Sequence, residues 1–234
     1  MSSNRVALLT GVGPGLGASL ARRFTRGGFS LGLVARHSNF IEKLAGELLA
    51  SGGHAIAVVA DVSQPEEVKS AIARVRAKLG KIDLLLHNAS SSSGAGVLGT
   101  TPEQFESAWR TASLGAFVCA RETAPDMIAA GGGVMIFTGA TSSVRGGGWL
   151  AFSSAKFALR GLVQSLAREL WPHGVHVAHV VVDGIIGPAG GAKKGEPLLD
   201  PDEMAEAYWQ LAAQARTAWT LELDLRPHDE KFFE

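Results

Sequence analysis

Short apolar runs recur along the chain at Arg5–Leu9, Ser30–Ala35, Ala55–Ala60, Ile82–His87, Val134–Thr138 and Val175–Val182. Each is short enough for a buried strand and too short for a buried helix. The stretches between them have apolar residues at helical spacing, as in Leu16, Leu20 and Phe24, and predict helices at Leu16–Arg26, Phe40–Ala50, Pro65–Leu79, Pro102–Ala130, Ser153–Trp171 and Pro201–Arg216. Proline at a first helical position and the cap candidates Ser63, Thr101 and Asp200 mark several starts. Near the end, Trp219–Pro227 alternates apolar and polar side chains, the pattern of an edge strand closing a sheet. Strand and helix in alternation predict an α/β fold, a doubly wound parallel sheet of about seven strands with helices on both faces, in three layers. The Gly/Ser-rich or Pro-containing segments Ser90–Gly96, Arg145–Gly148 and Gly187–Glu196 follow the fourth, fifth and sixth strands. Such sheets bind ligands beyond these carboxyl ends. With no internal repeat and no Gly/Ser run long enough for a linker, residues 1–234 are read as one domain.

The octapeptide Thr10-Gly11-Val12-Gly13-Pro14-Gly15-Leu16-Gly17 lies in the first strand-to-helix turn. Glycine there lets a pyrophosphate approach the backbone, and the first helical turn offers unpaired N–H groups and a positive dipole end. A glycine cluster alone is a weak signal, but between strand and helix it predicts a bound dinucleotide.

Lys+Arg and Asp+Glu both total 22, so the formal charge is zero and no basic excess points to nucleic acid or an anionic membrane. The only cysteine, Cys119, lies in an apolar stretch and reads as core filling, which rules out an intrachain disulfide and suits a reducing cytoplasm. The start Met1-Ser2-Ser3-Asn4-Arg5 lacks a signal-peptide pattern, and no apolar run reaches the roughly 18 residues that span a bilayer. The expectation is a cytoplasmic protein acting on a small molecule.

Four motifs in order resemble the short-chain dehydrogenase/reductase family over roughly residues 5 to 188. They are Thr10-Gly11-x-x-x-Gly15-x-Gly17, Asp61-Val62 after the third strand, His87-Asn88-Ala89-Ser90 where the family has Asn-Asn-Ala-Gly, and Lys156. Gly184 fits the family's Pro-Gly turn, with Asp183 in place of the proline. The resemblance implies a Rossmann-type sheet and nicotinamide cofactor contacts at Thr10, Gly11, Gly13, Gly15, Leu16, Gly17, Arg36, Asp61, Val62, Asn88, Ala89, Ser90, Lys156, Gly184 and Ile186. It also implies a homodimer or homotetramer through the helices around 102–130 and 153–171. Cofactor choice rests on Ala35-Arg36-His37 at the end of the second strand. There a carboxylate would bind a ribose diol, whereas the Arg36 fork suits a 2′-phosphate, so NADP(H) is expected over NAD. Asp61 also reads as a cap for the helix near Pro65, and both roles can coexist.

The catalytic positions depart from the family. Its tyrosine, which passes a proton to or from the substrate oxygen, falls on Phe152, which has no ionisable oxygen; losing such a group typically costs on the order of 10²–10⁴ in rate. Tyr208 is the only tyrosine in the chain. The catalytic serine falls at or next to Ala140, with Thr141 or Ser142 as its replacement, and the relay asparagine on Ala112, beside Ser113. Lys156 remains to hold the nicotinamide ribose, to orient a water as proton source, or to act as the acid itself, which an unperturbed pKa near 10.4 disfavours. Asp183 reads as a proton carrier or as a turn residue. Trp149, Phe152, Trp209 and Trp219 are candidates for an apolar wall over the nicotinamide, and Lys193 and Lys194 for contact with an acidic substrate group, although each is as readily core or solvated surface. His173, His176 and His179 recur every third residue, but on a strand such residues face opposite sides, so no metal site is expected.

Three functions fit: an NADP(H)-dependent oxidoreductase with a variant proton path, a nucleotide-binding protein without turnover, and a lyase or isomerase on the same fold. The first leads, because the cofactor half is intact.

Overall fold

In a computed structural model of the chain, the described residues are 5–91, 95–187 and 198–230. The first apolar run forms β1 (Arg5–Thr10), whose successive side chains enter two different cores, Val6 and Leu8 on one face and Ala7 and Leu9 on the other. That two-sided burial explains why the run shows no polar alternation. After α1 (Leu16–Arg26) the chain moves outward through β2 (Phe29–Ala35), α2 (Ser38–Ala50) and β3 (His54–Val59). It then crosses by α3 (Pro65–Leu79) to β4 (Leu84–His87), on the other side of β1. The second half adds α4 (Pro102–Trp109), α5 (Gly115–Ala129), β5 (Gly133–Thr138), α6 (Leu150–Leu170) and β6 (Val175–Val182). A two-strand ribbon, β7 (Ile185–Ile186) with β8 (Leu198–Leu199), precedes α7 (Pro201–Ala212) and the edge strand β9 (Glu222–Leu225).

The sheet has seven strands in the order β3-β2-β1-β4-β5-β6-β9, every pair parallel. Helices α1, α2 and α7 cover one face and α3, α5 and α6 the other. The winding direction reverses between β1 and β4, and there the register sets Thr10 beside both Val34 and His87, and His87 beside Phe137. The carboxyl ends of β1, β2, β4 and β5 therefore finish level, leaving a crevice at the switch point.

Several expected boundaries shift. The passage read as one helix over Pro102–Ala130 is broken by a π turn at Arg110–Leu114, where the Ser113 hydroxyl donates to the Ala155 carbonyl at 2.8 Å. Just beyond, a Cβ on Gly115 would lie 2.8 Å from the Val62 carbonyl oxygen, so α5 has to start at a glycine pressed against the loop after β3. Ser63 does not cap α3: Gln64 holds that position, and the Ser63 N–H instead donates to Asp61 Oδ1 at 2.9 Å. Asp61 is thus a turn residue, not the helix cap. Thr101 does form a capping box with Gln104, and Asp200 accepts from the Asp202 N–H at the start of α7. That last helix ends at Ala212 instead of Arg216. Among the described residues no helix is long and apolar enough to cross a membrane.

Candidate functional site

Two adjoining cavities, of about 490 and 410 Å³, open over the carboxyl ends of the strands. Gly11, Gly13, Asn88 and Ser90 line both and form the saddle between them. Gly11 has φ +71°, and a Cβ there would sit 2.4 Å from the Ala89 Cα, so the turn closes only with glycine. Gly13 has open space where its Cβ would be, which leaves the backbone of the turn bare toward the cavity. Gly15, the N-cap of α1, makes no side-chain cap, so the first N–H groups of the helix are available to an anion. Leu16 and Gly17 line the larger cavity. The Asn88 side-chain amide donates to the Gly11 carbonyl at 3.0 Å and ties β4 to the turn. This is a cradle that fits a pyrophosphate.

Val12, Ala35, Arg36, His37, Phe40, Asp61, Val62 and Ala89 line the smaller cavity. Arg36 is exposed at its rim, within the same wall as Asp61. Thr10 departs from expectation: it lines neither cavity, because its hydroxyl turns inward to share a 3.0 Å hydrogen bond with His87 Nδ1. The motif's threonine here joins β1 to β4.

At the other end the larger cavity is lined by Thr138, Gly139, Ala140, Thr141, Ser142, Phe152, Lys156, Gly184 and Ile186. Gly184 has φ +145°, and a Cβ there would be 2.9 Å from Pro227 Cδ, which fixes glycine at the turn after β6. Lys156 is 2% exposed, and its Nζ donates to the Thr138 carbonyl at 2.8 Å. The ammonium lies 5.5 Å from the centre of the Phe152 ring. Burial pulls its pKa down to about 8. The same desolvation, reinforced by the Lys156 charge, pushes His87 down to about 3, so that imidazole is neutral. His179, also buried beside Lys156, is shifted down by desolvation. Lys156 is therefore buried between β4, β5 and β6, with carbonyl and imidazole groups as neighbours and neither cavity-lining tyrosine nor serine at the family's positions.

The remaining candidates separate clearly. Ala112 is 1% exposed and packs with Ala108, Ala151 and Ala155, so the asparagine position is filled by a small apolar contact between α4 and α6. Tyr208 is fully buried on α7, where its hydroxyl meets Thr138 Oγ1 at 2.9 Å, and burial raises its pKa. It lines neither cavity. Asp183 pairs with Arg226 at 3.0 Å and accepts a hydrogen bond from the Thr141 hydroxyl, so it is an anchored anion behind the wall. Of the four aromatic candidates only Phe152 and its edge-on neighbour Trp149, 6.3 Å away, belong to this end. Trp209 packs on Phe24 and Phe29 under Arg23, and Trp219 stacks on His176 at 4.9 Å; neither reaches the site. His176 contacts the Thr220 carbonyl and His179 the Glu222 carboxylate, and among the described residues no three His, Cys, Asp or Glu side chains form a metal group. Lys193 and Lys194 lie outside the described residues. Sequence reasoning missed the hydroxyl chain in which Ser153 Oγ donates to Ser142 Oγ at 3.2 Å and accepts from the Gly147 N–H at 3.3 Å. Serine on the first turn of α6, three residues after its apolar start at Leu150, was the available signal.

Comparison with known proteins agrees with this geometry. Residues 5–196 match the model of the family described as short chain dehydrogenase. A short-chain dehydrogenase/reductase of Armillaria gallica is 34% identical over 182 residues, covering 76% of this chain and 69% of the relative. A short-chain dehydrogenase from Rhodopseudomonas palustris is 35% identical, with a TM-score of 0.86 over 97% of this chain and 100% of the other. A metagenomic short-chain oxidoreductase solved in complex with NADP is 27% identical, with a TM-score of 0.84 over 97% of this chain and 99% of the other.

Proposed function

The chain belongs to the short-chain dehydrogenase/reductase family of oxidoreductases, and on that premise we propose that it is an NADP(H)-dependent enzyme reducing or oxidising a small carbonyl, alcohol or unsaturated substrate by a proton path without tyrosine. The observation that carries this reading is the pair of cavities meeting over the bare glycine turn, with Arg36 at one end and Lys156 at the other. When bound, the nicotinamide supplies or takes up the hydride. The likeness to a relative solved with NADP supports the cofactor class, and the Arg36 guanidinium supports the 2′-phosphate form.

The chain's own groups have distinct tasks. Lys156 spends one N–H on the Thr138 carbonyl and keeps two for ribose hydroxyls and for a proton to the substrate oxygen, directly or through a water. With its pKa near 8 it is a far better acid at neutral pH than an exposed lysine. Ser142 donates a hydrogen bond to the substrate carbonyl, and Phe152 supplies an apolar wall that excludes water. A nucleotide-binding protein without turnover is the second reading; it is favoured by Ala112, Ala140 and Phe152, three positions with no proton to give. Exposed Phe105, Trp109, Phe117 and Phe157 on α4, α5 and α6 support assembly as a homodimer or homotetramer.

Calorimetric titration with NADPH and NADH tests the cofactor half. The expected result is preference for NADPH, reduced about 10–100-fold in the Arg36→Ala variant with NADH binding little changed, since a hydrogen bond to a charged group contributes roughly 1.5–3 kcal/mol. Failure of both nucleotides to bind would remove the redox reading. Nucleotide binding with no turnover across a panel of ketones, alcohols and enones would favour the second.

A further inference from the structure

Two neighbouring hydroxyls on the turn after β5, Thr141 and Ser142, line the larger cavity, and their hydrogen bonds commit them to opposite roles. The Thr141 hydroxyl gives its proton to Asp183 Oδ1. Asp183 cannot return it, because its other oxygen faces the Arg226 guanidinium at 3.0 Å and an ionised carboxylate only accepts. Thr141 is left with lone pairs alone, so toward a ligand it can only accept. Ser142 is the converse. Its oxygen accepts from Ser153 Oγ at 3.2 Å, and the Ser153 oxygen in turn accepts from the Gly147 N–H at 3.3 Å, so the chain of donation runs toward Ser142 and leaves its O–H to be given. Consecutive residues of one turn thus present an acceptor and a donor about 3.8 Å apart along the backbone.

We propose that this site selects an α-hydroxy carbonyl compound, whose carbonyl oxygen accepts from Ser142 and whose adjacent hydroxyl donates to Thr141. The inference rests on the oxidoreductase reading above and adds its substrate class. In the reducing direction the carbonyl carbon gains hydride from NADPH and its oxygen gains one proton from the Lys156 ammonium, directly or through a water, giving a 1,2-diol, NADP⁺ and neutral Lys156, which regains a proton from solvent; oxidation of the diol is the reverse. Asp183 and Arg226 are positioning residues, since they act only by fixing which way the Thr141 proton points. A ketone without the hydroxyl leaves Thr141 without a donor, and one bearing an ether oxygen there sets two acceptors face to face.

The test compares α-hydroxyacetophenone, acetophenone and α-methoxyacetophenone, each titrated calorimetrically into protein first shown to bind NADPH, with kcat/KM measured alongside. The hydroxy ketone should bind at least about tenfold more tightly than acetophenone, and the methoxy ketone more weakly than either. Thr141→Val should erase the advantage of the hydroxy ketone, while Thr141→Ser should keep it. Asp183→Asn should invert it: the amide oxygen stays toward Arg226, the amide N–H₂ turns to Thr141, and the freed Thr141 O–H now favours the methoxy ketone. A purely structural role for Asp183 would weaken all three ligands alike. Equal binding of hydroxy ketone and acetophenone to the NADPH complex, or binding of none of the three, would overturn the substrate class and leave the cofactor reading standing; absence of NADPH binding in the first step would overturn both. Should Asp183→Asn fail to fold by circular dichroism, the Val and Ser variants of Thr141 decide.

Discussion

At position 156 an ammonium group is taken wholly out of water with one carbonyl as its hydrogen-bond partner. Its pKa of about 8, against 10.5 for an exposed lysine, makes the folded state sensitive to pH. Below pH 8 both folded and unfolded chains carry the proton, and the folded chain bears the full cost of burying the charge. Between pH 8 and 10.5 the folded chain sheds the proton first, so unfolding binds a proton and stability rises with pH by about 3 kcal/mol. Urea midpoints measured across that window should climb in the parent protein relative to Lys156→Met, in which the rise attributable to this residue disappears. Two glycines separate shape from ligand in the same way. Gly11→Ala forces a Cβ into the Ala89 backbone at a positive φ and should lower stability by about 2–4 kcal/mol. Gly13→Ala meets nothing within 4 Å and should leave the melting temperature nearly unchanged while nucleotide affinity falls, because the added methyl occupies the bare side of the turn. Equal thermal losses in the two variants would contradict the cradle described above.

Among the elements, α7 reaches the site through the hydrogen bond between the Tyr208 hydroxyl and Thr138 Oγ1, alongside apolar packing in the core that includes Leu16 and Val182. Tyr208→Phe leaves that buried oxygen without its partner and should destabilise by about 1–2 kcal/mol in a chemical denaturation curve. Elements were legible in the sequence where burial follows a regular pattern: the one-sided α3 over Pro65–Leu79, with Val68, Ala71, Ile72, Val75 and Leu79 inward, and the fully buried β6 over Val175–Val182 agree residue for residue. The π turn between α4 and α5 was not, because 102–130 keeps helical spacing throughout and its break is set by distant partners, Val62 against Gly115 and Ala155 against Ser113. The ribbon of β7 and β8 was missed since two residues carry no periodicity. At the site, the glycines and Lys156 could be read from spacing, but the inward turn of Thr10 and the locking of Asp183 by Arg226 could not. Both depend on partners 77 and 43 residues away in sequence.

Across the whole molecule, the two cores on either side of the sheet are sealed from solvent, and Cys119 lies at 0% exposure in one of them. Burial pushes its thiol up to about 12, so neither thiolate nor access is available while the fold persists. A thiol reagent should therefore label the protein at the rate of global unfolding, and at that rate only; fast labelling in native buffer would show that the α5 face opens locally. Aromatic side chains were the least legible feature at this scale. Composition counts five tryptophans, yet Trp149 flanks the site, Trp209 caps the opposite end of α1, and Trp219 lies beside β6.

The burial of the chain's single tyrosine also makes the protein optically quiet in the phenolate region of the near ultraviolet. With Tyr208 raised above its ordinary range, alkaline titration of the folded protein gives no phenolate absorbance until the fold is lost. A Phe152→Tyr variant adds one chromophore to that dark background, with its ring centre 5.5 Å from the Lys156 ammonium. The absorbance step it produces reads directly how strongly this lysine can acidify a phenol.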